Sequence, residues 1–198
     1  MLLAIETSSN FGSLCFMADK NTISAQASWS GGHRDGSLFR CLAERSELIR
    51  KVERVAVGIG PGRFSGIRVA IAVAYGLRLS QGCSVLGICS SDAVARRFAS
   101  ISHLGVLSDA KRGERYLCLF DNGHRVSPPQ TIPNAAVKKA ISGLELAVSA
   151  EPLSYVATRA FPLASALAEI AWERLDEFPS GENKIEPIYL REPAFAPS

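Results

Sequence analysis

The chain has 198 residues, of which 47% are hydrophobic and 21% charged, enough for one large domain or for two lobes with a real core. Its net charge of +3 is small and its Lys and Arg residues are scattered, which argues against a dedicated nucleic-acid-binding domain. The five cysteines form no C-x-x-C pair, the N-terminus has no basic leader, and no apolar stretch approaches the ~20 residues of a membrane span, so we expect a cytoplasmic protein without a zinc knuckle.

The first hundred residues predict three strands followed by alternating helices and strands. Apolar runs and turn signals place strands at 2–6, 12–19, 22–29, 54–59 and 84–88, and helices at 36–51, 65–80 and 90–98. The ribonuclease-H-like fold has this β-β-β-α-β-α-β-α order, and the actin–hexokinase ATPases duplicate it into two lobes. We therefore expect an α/β protein with a mixed sheet and helices on both faces.

The second half has a different pattern, which we interpret as a smaller second lobe. It predicts a hairpin (104–109 and 115–121), a helix (134–142), a strand (144–149), a helix (163–177) and an extended, proline-rich tail. The predicted division is an N-terminal lobe over 1–100 and a reduced lobe over 101–198. The sequence shows no internal repeat.

The segment GIGPGRFSGIRV at 58–69 places four glycines between a strand and a helix. It has no Gly-Lys pair and so lacks a Walker loop, and both registers of G-x-G-x-x-G fail because Arg63 and Ser65 stand where the third glycine is needed. It is not a G-x-S-x-G elbow either. The segment can hold an anion at a helix N-terminus capped by Ser65, or it can be a structural turn, and the residues alone favour the turn.

Nucleotide binding in this architecture requires two phosphate-gripping turns, one in each lobe. The first would contain Glu6, Thr7 and Ser8, which are weak candidates, whereas the second half has only isolated glycines. We therefore expect ATP binding to be weak or absent, with no cofactor. The three histidines have no metal-ligand spacing, and a Ser65–His33–Asp35 triad has no support from spacing, so no catalytic or metal-binding residue is predicted.

The predicted helix at 65–80 is apolar around its whole circumference, which indicates that it is covered on every side. A partner or the second lobe could cover its outer face, and the sequence leaves both open. The basic residues Lys111, Arg112 and Arg115 lie at the tip of the predicted hairpin. A solvated turn is favoured there over RNA contact, because Tyr116 is the one aromatic residue in the cluster.

Four segments, in order along the chain, resemble the bacterial TsaB (YeaZ) family. LLAIETSSNFGSLCF is similar to the family's opening "LAIDTS…SVAL", and GIGPGRFSGIRVAIAVAYGL is similar to its "GPGSFTGVRIGIAxAxGLA" signature. DAKRGERY at 109–116 is similar to "DARRGEVY", and PIYLR at 187–191 to "PxYLR". The signature-loop residues that carry the resemblance are Gly60, Pro61, Gly62, Phe64, Ser65, Gly66 and Arg68.

The resemblance implies a non-catalytic, two-lobed, actin–hexokinase-like subunit that supports N6-threonylcarbamoyladenosine (t6A) formation at position 37 of tRNA. It implies a TsaD-type paralogue as the catalytic partner, a TsaE-type ATPase in a ternary complex, indirect contact with tRNA, and a homodimer through the same helical face when alone. The implied interface lies on the first two helices, and the residues expected to form it are Leu38, Leu42, Ile67, Ala70, Ile71, Ala74 and Leu77.

The chain departs from the family pattern at Glu6, where an Asp is usual, and at Arg63 and Ser65, where Ser and Thr are frequent. The longer acid at position 6 further weakens an ATP site. The alternative function is a small ATPase of the same fold or a glycoprotease-type peptidase. A second glycine-rich turn or a metal-binding pair would favour it, and the sequence shows neither.

Overall fold

The computed structural model describes residues 1–31, 36–179, 181, 183–188 and 190. The first half contains β1 Leu2–Glu6, β2 Phe11–Asp19, β3 Thr22–Ser30, α1 Ser37–Ala43, α2 Ser46–Ile49, β4 Arg54–Gly58, α3 Phe64–Gln81, β5 Ser84–Ile88 and α4 Ser90–Ala95. The second half contains β6 Leu104–Lys111, β7 Glu114–Asp121, β8 His124–Arg125, β9 Gln130–Pro133, α5 Asn134–Ile141, β10 Leu146–Ser149, β11 Thr158–Arg159 and α6 Ala164–Glu173.

The first sheet has the strand order β3-β2-β1-β4-β5. Strand β1 pairs antiparallel with β2 and parallel with β4, and β5 continues the parallel side. Both faces of β1 are buried: Leu3 and Ile5 pack under α1 and α3, whereas Leu2 and Ala4 pack under α6. The sheet is therefore a central layer between two layers of helices, as a strand without alternating polar residues predicts.

The second sheet repeats this topology in a smaller form. Its order is β11-β10-β6-β7-β8, with β9 pairing with β7. Strand β6 pairs antiparallel with β7 and parallel with β10, as β1 does with β2 and β4. Two mixed sheets with the same strand order define a two-lobed actin/hexokinase-like fold, so the predicted fold class is confirmed.

The second lobe is reduced at the position that corresponds to α3. The connection from β10 to β11, residues 150–157, contains no helix, and Leu153 and Val156 form an isolated bridge there. The sequence analysis also missed β8, β9 and β11, because each has only two to four residues and β9 ends in a proline.

Each lobe packs a helix against the other. Helix α6 lies late in the sequence but packs on β1, β2 and β4, whereas Val94 and Ala95 of α4 enter the core of the second sheet. Residues 183–188 also return to the first lobe, where the Ile188 N–H donates to the Ile59 carbonyl oxygen (2.9 Å). The division at residue 100 stays a prediction, and the first sheet draws part of its packing from residues beyond it.

Two helix predictions are wrong in detail. The helix predicted over 36–51 is two short helices, α1 and α2, interrupted at Glu44 and Arg45. Helix α3 begins at Phe64 after Arg63, with no side-chain cap, so Ser65 is not its cap. Within the described residues, no helix is long and apolar enough to cross a membrane.

Candidate functional site

The glycine loop, residues 58–66, lies directly on the turn that follows β1. We call residues 7–10 the first turn. A Cβ atom added at Gly62 would lie 2.3 Å from the Ser8 carbonyl oxygen, and one added at Gly66 would lie 2.0 Å from the Thr7 carbonyl oxygen. These approaches leave no room for a side chain at either glycine, so the two glycines permit backbone-to-backbone packing.

Hydrogen bonds fasten the glycine loop to the first turn. The Arg63 N–H donates to the Ser8 carbonyl oxygen (2.6 Å), and the Thr7 hydroxyl donates to the Gly66 carbonyl oxygen (2.8 Å). The Arg63 guanidinium also donates to the Asn10 side-chain oxygen. The hydroxyl and the carbonyl of the turn that could have faced a phosphate are thus used inside the chain.

The other end of the glycine loop is held by α4 and the second lobe. The Gly60 N–H donates to the Ser90 hydroxyl (3.1 Å), and the Ser90 N–H donates to the Gly60 carbonyl oxygen (2.7 Å). Gly60 has a φ of +92°, which a glycine adopts readily. The Ser108 hydroxyl lies 3.5 Å from the Pro61 carbonyl oxygen, which it meets as a donor, so the loop bridges the two lobes.

Glu6, the acidic residue predicted for nucleotide chemistry, is fully buried at the end of β1. Its Oε1 accepts a hydrogen bond from the Ser8 N–H (2.6 Å), whereas its Oε2 is buried without a hydrogen-bond partner. A Cβ atom at Gly58 would lie 2.0 Å from Oε2, so Gly58 makes the space for the carboxyl group. Burial raises the pKa of Glu6, although hydrogen bonds with Ser8 and Ser90 act in the opposite direction.

The cleft between the lobes is nearly closed. Its enclosed volume is about 20 Å³, roughly enough for one water molecule, whereas small-molecule pockets have ~300–1,000 Å³. Five serines and Glu151 line it, and burial together with the nearby Asp109 charge raises the pKa of Glu151. The lining residues that belong to the first lobe and α4 are Ser8, Ser9, Pro61, Ser90, Ser91 and Val94.

The structure brings no metal-binding or nucleophile–histidine constellation together among the residues it describes. No group of three His, Cys, Asp or Glu side chains in that part of the chain could hold a metal ion. The described lining of the cleft includes serines but no histidine. His33 and Asp35, which complete the triad drawn from the sequence, lie outside the described residues, as do Tyr189 and Arg191 of the PIYLR segment.

The residues expected to form the partner interface require a correction. Six of them are buried in the core of the first lobe and Leu77 is half-buried against it, because these side chains fill the space between the helices and the sheet. They cannot form the surface that a partner touches. The six buried residues are Leu38, Leu42, Ile67, Ala70, Ile71 and Ala74.

The opposite side of α3 is exposed and follows a four-residue spacing. We call Phe64, Arg68, Ala72 and Gly76 the outer face of α3; all four are exposed. Phe64 is 48% exposed, and the Arg68 guanidinium carbon lies 5.2 Å from the centre of its ring. Phe39, 57% exposed on α1, adds a second large apolar side chain on the same side of the sheet. The sequence-based description of α3 as buried all round is therefore wrong.

The tail covers only one part of α3. The Ile185 N–H donates to the Tyr75 hydroxyl (2.5 Å), and Arg78 donates to the Asn183 carbonyl and side-chain oxygens (3.0 and 3.1 Å). Ile185 packs against the core of the first lobe. The second covering that the sequence left open, by the second lobe, is thus supplied near Tyr75 by residues 183–185, and the outer face of α3 stays uncovered.

Comparison with known proteins gives a family to this arrangement. The family model "TsaD: tRNA N6-adenosine threonylcarbamoyltransferase" matches residues 37–175, more than half of the chain. A Mycobacterium tuberculosis protein described as "Uncharacterized protein Rv3421c" is 30% identical over 169 residues, covering 81% of this chain and 74% of its own length. For "Uncharacterized protein ML0378" of Mycobacterium leprae, the match is 32% identical and spans 58% of this chain but only 31% of that protein.

Solved structures from Pseudomonas aeruginosa share the fold. A protein described as similar to peptidase YEAZ has a TM-score of 0.73 at 21% identity, covering 96% of this chain and 99% of that one. "YeaZ from Pseudomonas aeruginosa" has a TM-score of 0.69 at 21% identity, covering 88% and 93%. The two lobes and the glycine loop define a TsaD-like protein of the actin/hexokinase-like class. The chain belongs to the TsaD family, and the predicted resemblance to its YeaZ-type members is confirmed.

The sequence analysis missed why the glycines are present. Gly58, Gly62 and Gly66 are spaced by four residues, and each lies against Glu6 or the first turn. This spacing was the available signal for close packing on a neighbouring segment. A search for phosphate-loop patterns does not test for it.

Proposed function

We propose that this chain is a non-catalytic subunit that binds a TsaD-type transferase and supports t6A modification of tRNA. The observation that carries the proposal is the packing of the glycine loop on the first turn. It consumes the Ser8 carbonyl and the Thr7 hydroxyl and places the Gly66 backbone where a phosphate would have to approach. The family model supports the link to threonylcarbamoyl transfer.

The closed cleft supports a supporting role rather than catalysis. A space of about 20 Å³ admits no nucleotide without separation of the lobes. Separation would break the contacts of Gly60 with Ser90 and of Pro61 with Ser108. ATP binding by this chain is therefore expected to be weak or absent.

The outer face of α3 is the surface we propose for the partner. Ala72 and Gly76 have small side chains, which allow a helix of the partner to approach closely, and Phe64 and Phe39 offer apolar area beside them. The TsaD-type paralogue is the proposed occupant, and a second copy of this chain would use the same face in its absence. A TsaE-type ATPase would join the resulting pair, and tRNA would be contacted indirectly, in the cytoplasm.

The test is a binding titration between this chain and the TsaD-type protein of the same organism. Replacing Ala72 with Arg places a charge in the centre of the proposed interface. We expect at least a tenfold weaker dissociation constant, because an unpaired charge would lose its water on binding. The fold should be unchanged, since Ala72 is exposed.

Ala140→Arg is the matched control, because Ala140 is also an exposed alanine in a helix but lies on α5 of the second lobe. It should bind the partner as the wild type does. Equal affinity of Ala72→Arg and wild type would contradict the proposed surface. Absence of wild-type binding to a folded TsaD-type protein would contradict the proposed function itself.

A further inference from the structure

A second concave region lies on the far side of α4 from the interlobe cleft. Ser90, Ser91 and Val94 face the cleft, whereas Asp92 and Arg96 face an open groove of about 650 Å³. We call this the α4–α6 groove. The segment 123–128 of the second lobe forms one wall, and Ile170, Glu173 and Arg174 of α6 and its C-terminal end form the other. Its volume is within the ~300–1,000 Å³ of small-molecule sites.

Three arginines line the α4–α6 groove, and two of them are matched to carboxylates. Arg96 donates to both oxygens of Glu173 (2.9 and 2.5 Å) and to Glu169 (3.3 Å). Arg125 donates through one Nη to Asp92 (2.8 Å). These pairs cancel the charges of Glu173 and Asp92 within the groove.

Arg174 is the arginine whose charge is left over. Its Nε lies 3.8 Å from Glu177 Oε1, beyond hydrogen-bond distance, and it makes no hydrogen bond within the described part of the chain. Arg125 keeps its Nε and its second Nη without a hydrogen-bond partner in the same described residues. Guanidinium donors of this kind match the oxygens of a phosphate group in pairs.

We infer that the α4–α6 groove binds a phosphate group carried by a small molecule, held by Arg174 and the spare donors of Arg125. Asp92 acts as a positioning residue, because its carboxylate fixes the Arg125 side chain. A nucleic-acid backbone fits less well. Glu169, Glu173 and Glu177 surround the same region and would repel a continuous row of phosphates, whereas a single phosphate can reach the two arginines.

The α4–α6 groove is separate from the surfaces of the proposed partner role, since neither the outer face of α3 nor the cleft belongs to it. The test is calorimetric titration of the full chain with inorganic phosphate, ribose 5-phosphate and AMP, each at constant ionic strength. Amide chemical-shift mapping locates the site. We expect saturable binding with a dissociation constant of about 1 mM or tighter, and shifts concentrated at 123–127. Binding of inorganic phosphate as tight as that of AMP assigns the affinity to the phosphate, and tighter AMP binding assigns part of it to the nucleoside.

Arg174→Gln should weaken binding roughly tenfold or more, and Arg174→Lys should weaken it less, because a lysine keeps the charge but loses the fork. Arg50→Gln is the matched control, since Arg50 also pairs with a glutamate three residues away but lies on the surface beside α2. No saturable binding, shifts outside the groove, or equal losses in Arg174→Gln and Arg50→Gln would overturn the inference. Tight binding of a short RNA without binding of the small phosphates would also overturn it.

Discussion

The first turn and the tip of the β6–β7 hairpin occupy corresponding places in the two lobes, yet their surroundings are opposite. Each joins the first strand of its sheet to the antiparallel second strand. Thr7, Ser8 and Ser9 of the first turn are buried, whereas Arg112 and Gly113 at the hairpin tip are exposed. The same topology thus supports a packed turn in one lobe and a solvated turn in the other.

The difference comes from the segment after the strand that pairs in parallel with the first strand of each sheet. After β4, the glycine loop and α3 press on the first turn, whereas residues 150–157 after β10 form no helix. A Cβ atom at Gly66 would therefore meet the backbone of the first turn, but one at Gly113 would meet open space. The glycine loop serves packing between segments, and substitutions at Gly66, Glu6 and Asp109 can break or sharpen the contrast between the turns.

The largest expected effect is that of a methyl group at Gly66. Gly66→Ala should lower the free energy of unfolding by about 3 kcal/mol or more, because the added Cβ would overlap the Thr7 carbonyl oxygen. Gly113→Ala at the hairpin tip should cost only about 1 kcal/mol, since Gly113 has a φ of +79° but open space around it. Urea unfolding followed by tryptophan fluorescence measures both, and equal losses would refute the contrast between the turns.

A smaller effect is expected from removing the charge of Glu6. Burial raises the pKa of Glu6 in the folded chain, so the wild type loses stability as the pH rises above the ordinary value of 4.5. Glu6→Gln should raise the free energy of unfolding at pH 7 by about 1–3 kcal/mol and should match the wild type below pH 4. Unfolding curves between pH 4 and 8 test this, and parallel curves for the two proteins would contradict it.

The smallest effect, with the opposite sign, is expected at Asp109 near the end of β6. Burial raises its pKa, but hydrogen bonds from Lys111 and the charges of Lys111 and Arg115 outweigh burial and leave the pKa lowered. Asp109→Asn should therefore cost about 0.5–1 kcal/mol at pH 7, and this loss should disappear as the pH falls through the folded pKa of Asp109. A loss that persists in acid would show that charge is not its cause.

The sequence predicted the sheets well and the surfaces poorly. The strands β1, β2, β4 and β5 have continuous apolar runs, and α3 has a clear start after the glycines, so pattern reasoning placed them within two residues. The strands β8, β9 and β11 are too short to have a period, and their pairing is set by neighbours distant in sequence.

The outer face of α3 was missed because alanine and glycine do not reveal which side of a helix is exposed. Ala70 and Ala74 are buried, whereas Ala72 and Gly76 are exposed, although all four are small. The tail adds a further non-local contribution, since Ile185 covers part of α3 from 110 residues away from Tyr75. The site of packing between loop and turn depends on similar distances, 59 residues between Thr7 and Gly66.

The most direct test of the central claim is a calorimetric titration of the isolated chain with ATP and Mg²⁺. If the glycine loop fills the first turn, no saturable heat should appear at nucleotide concentrations up to about 1 mM. Micromolar binding that is lost when Ser8 is replaced with Val would contradict the claim, because it would show that the first turn receives a phosphate in spite of the glycine loop.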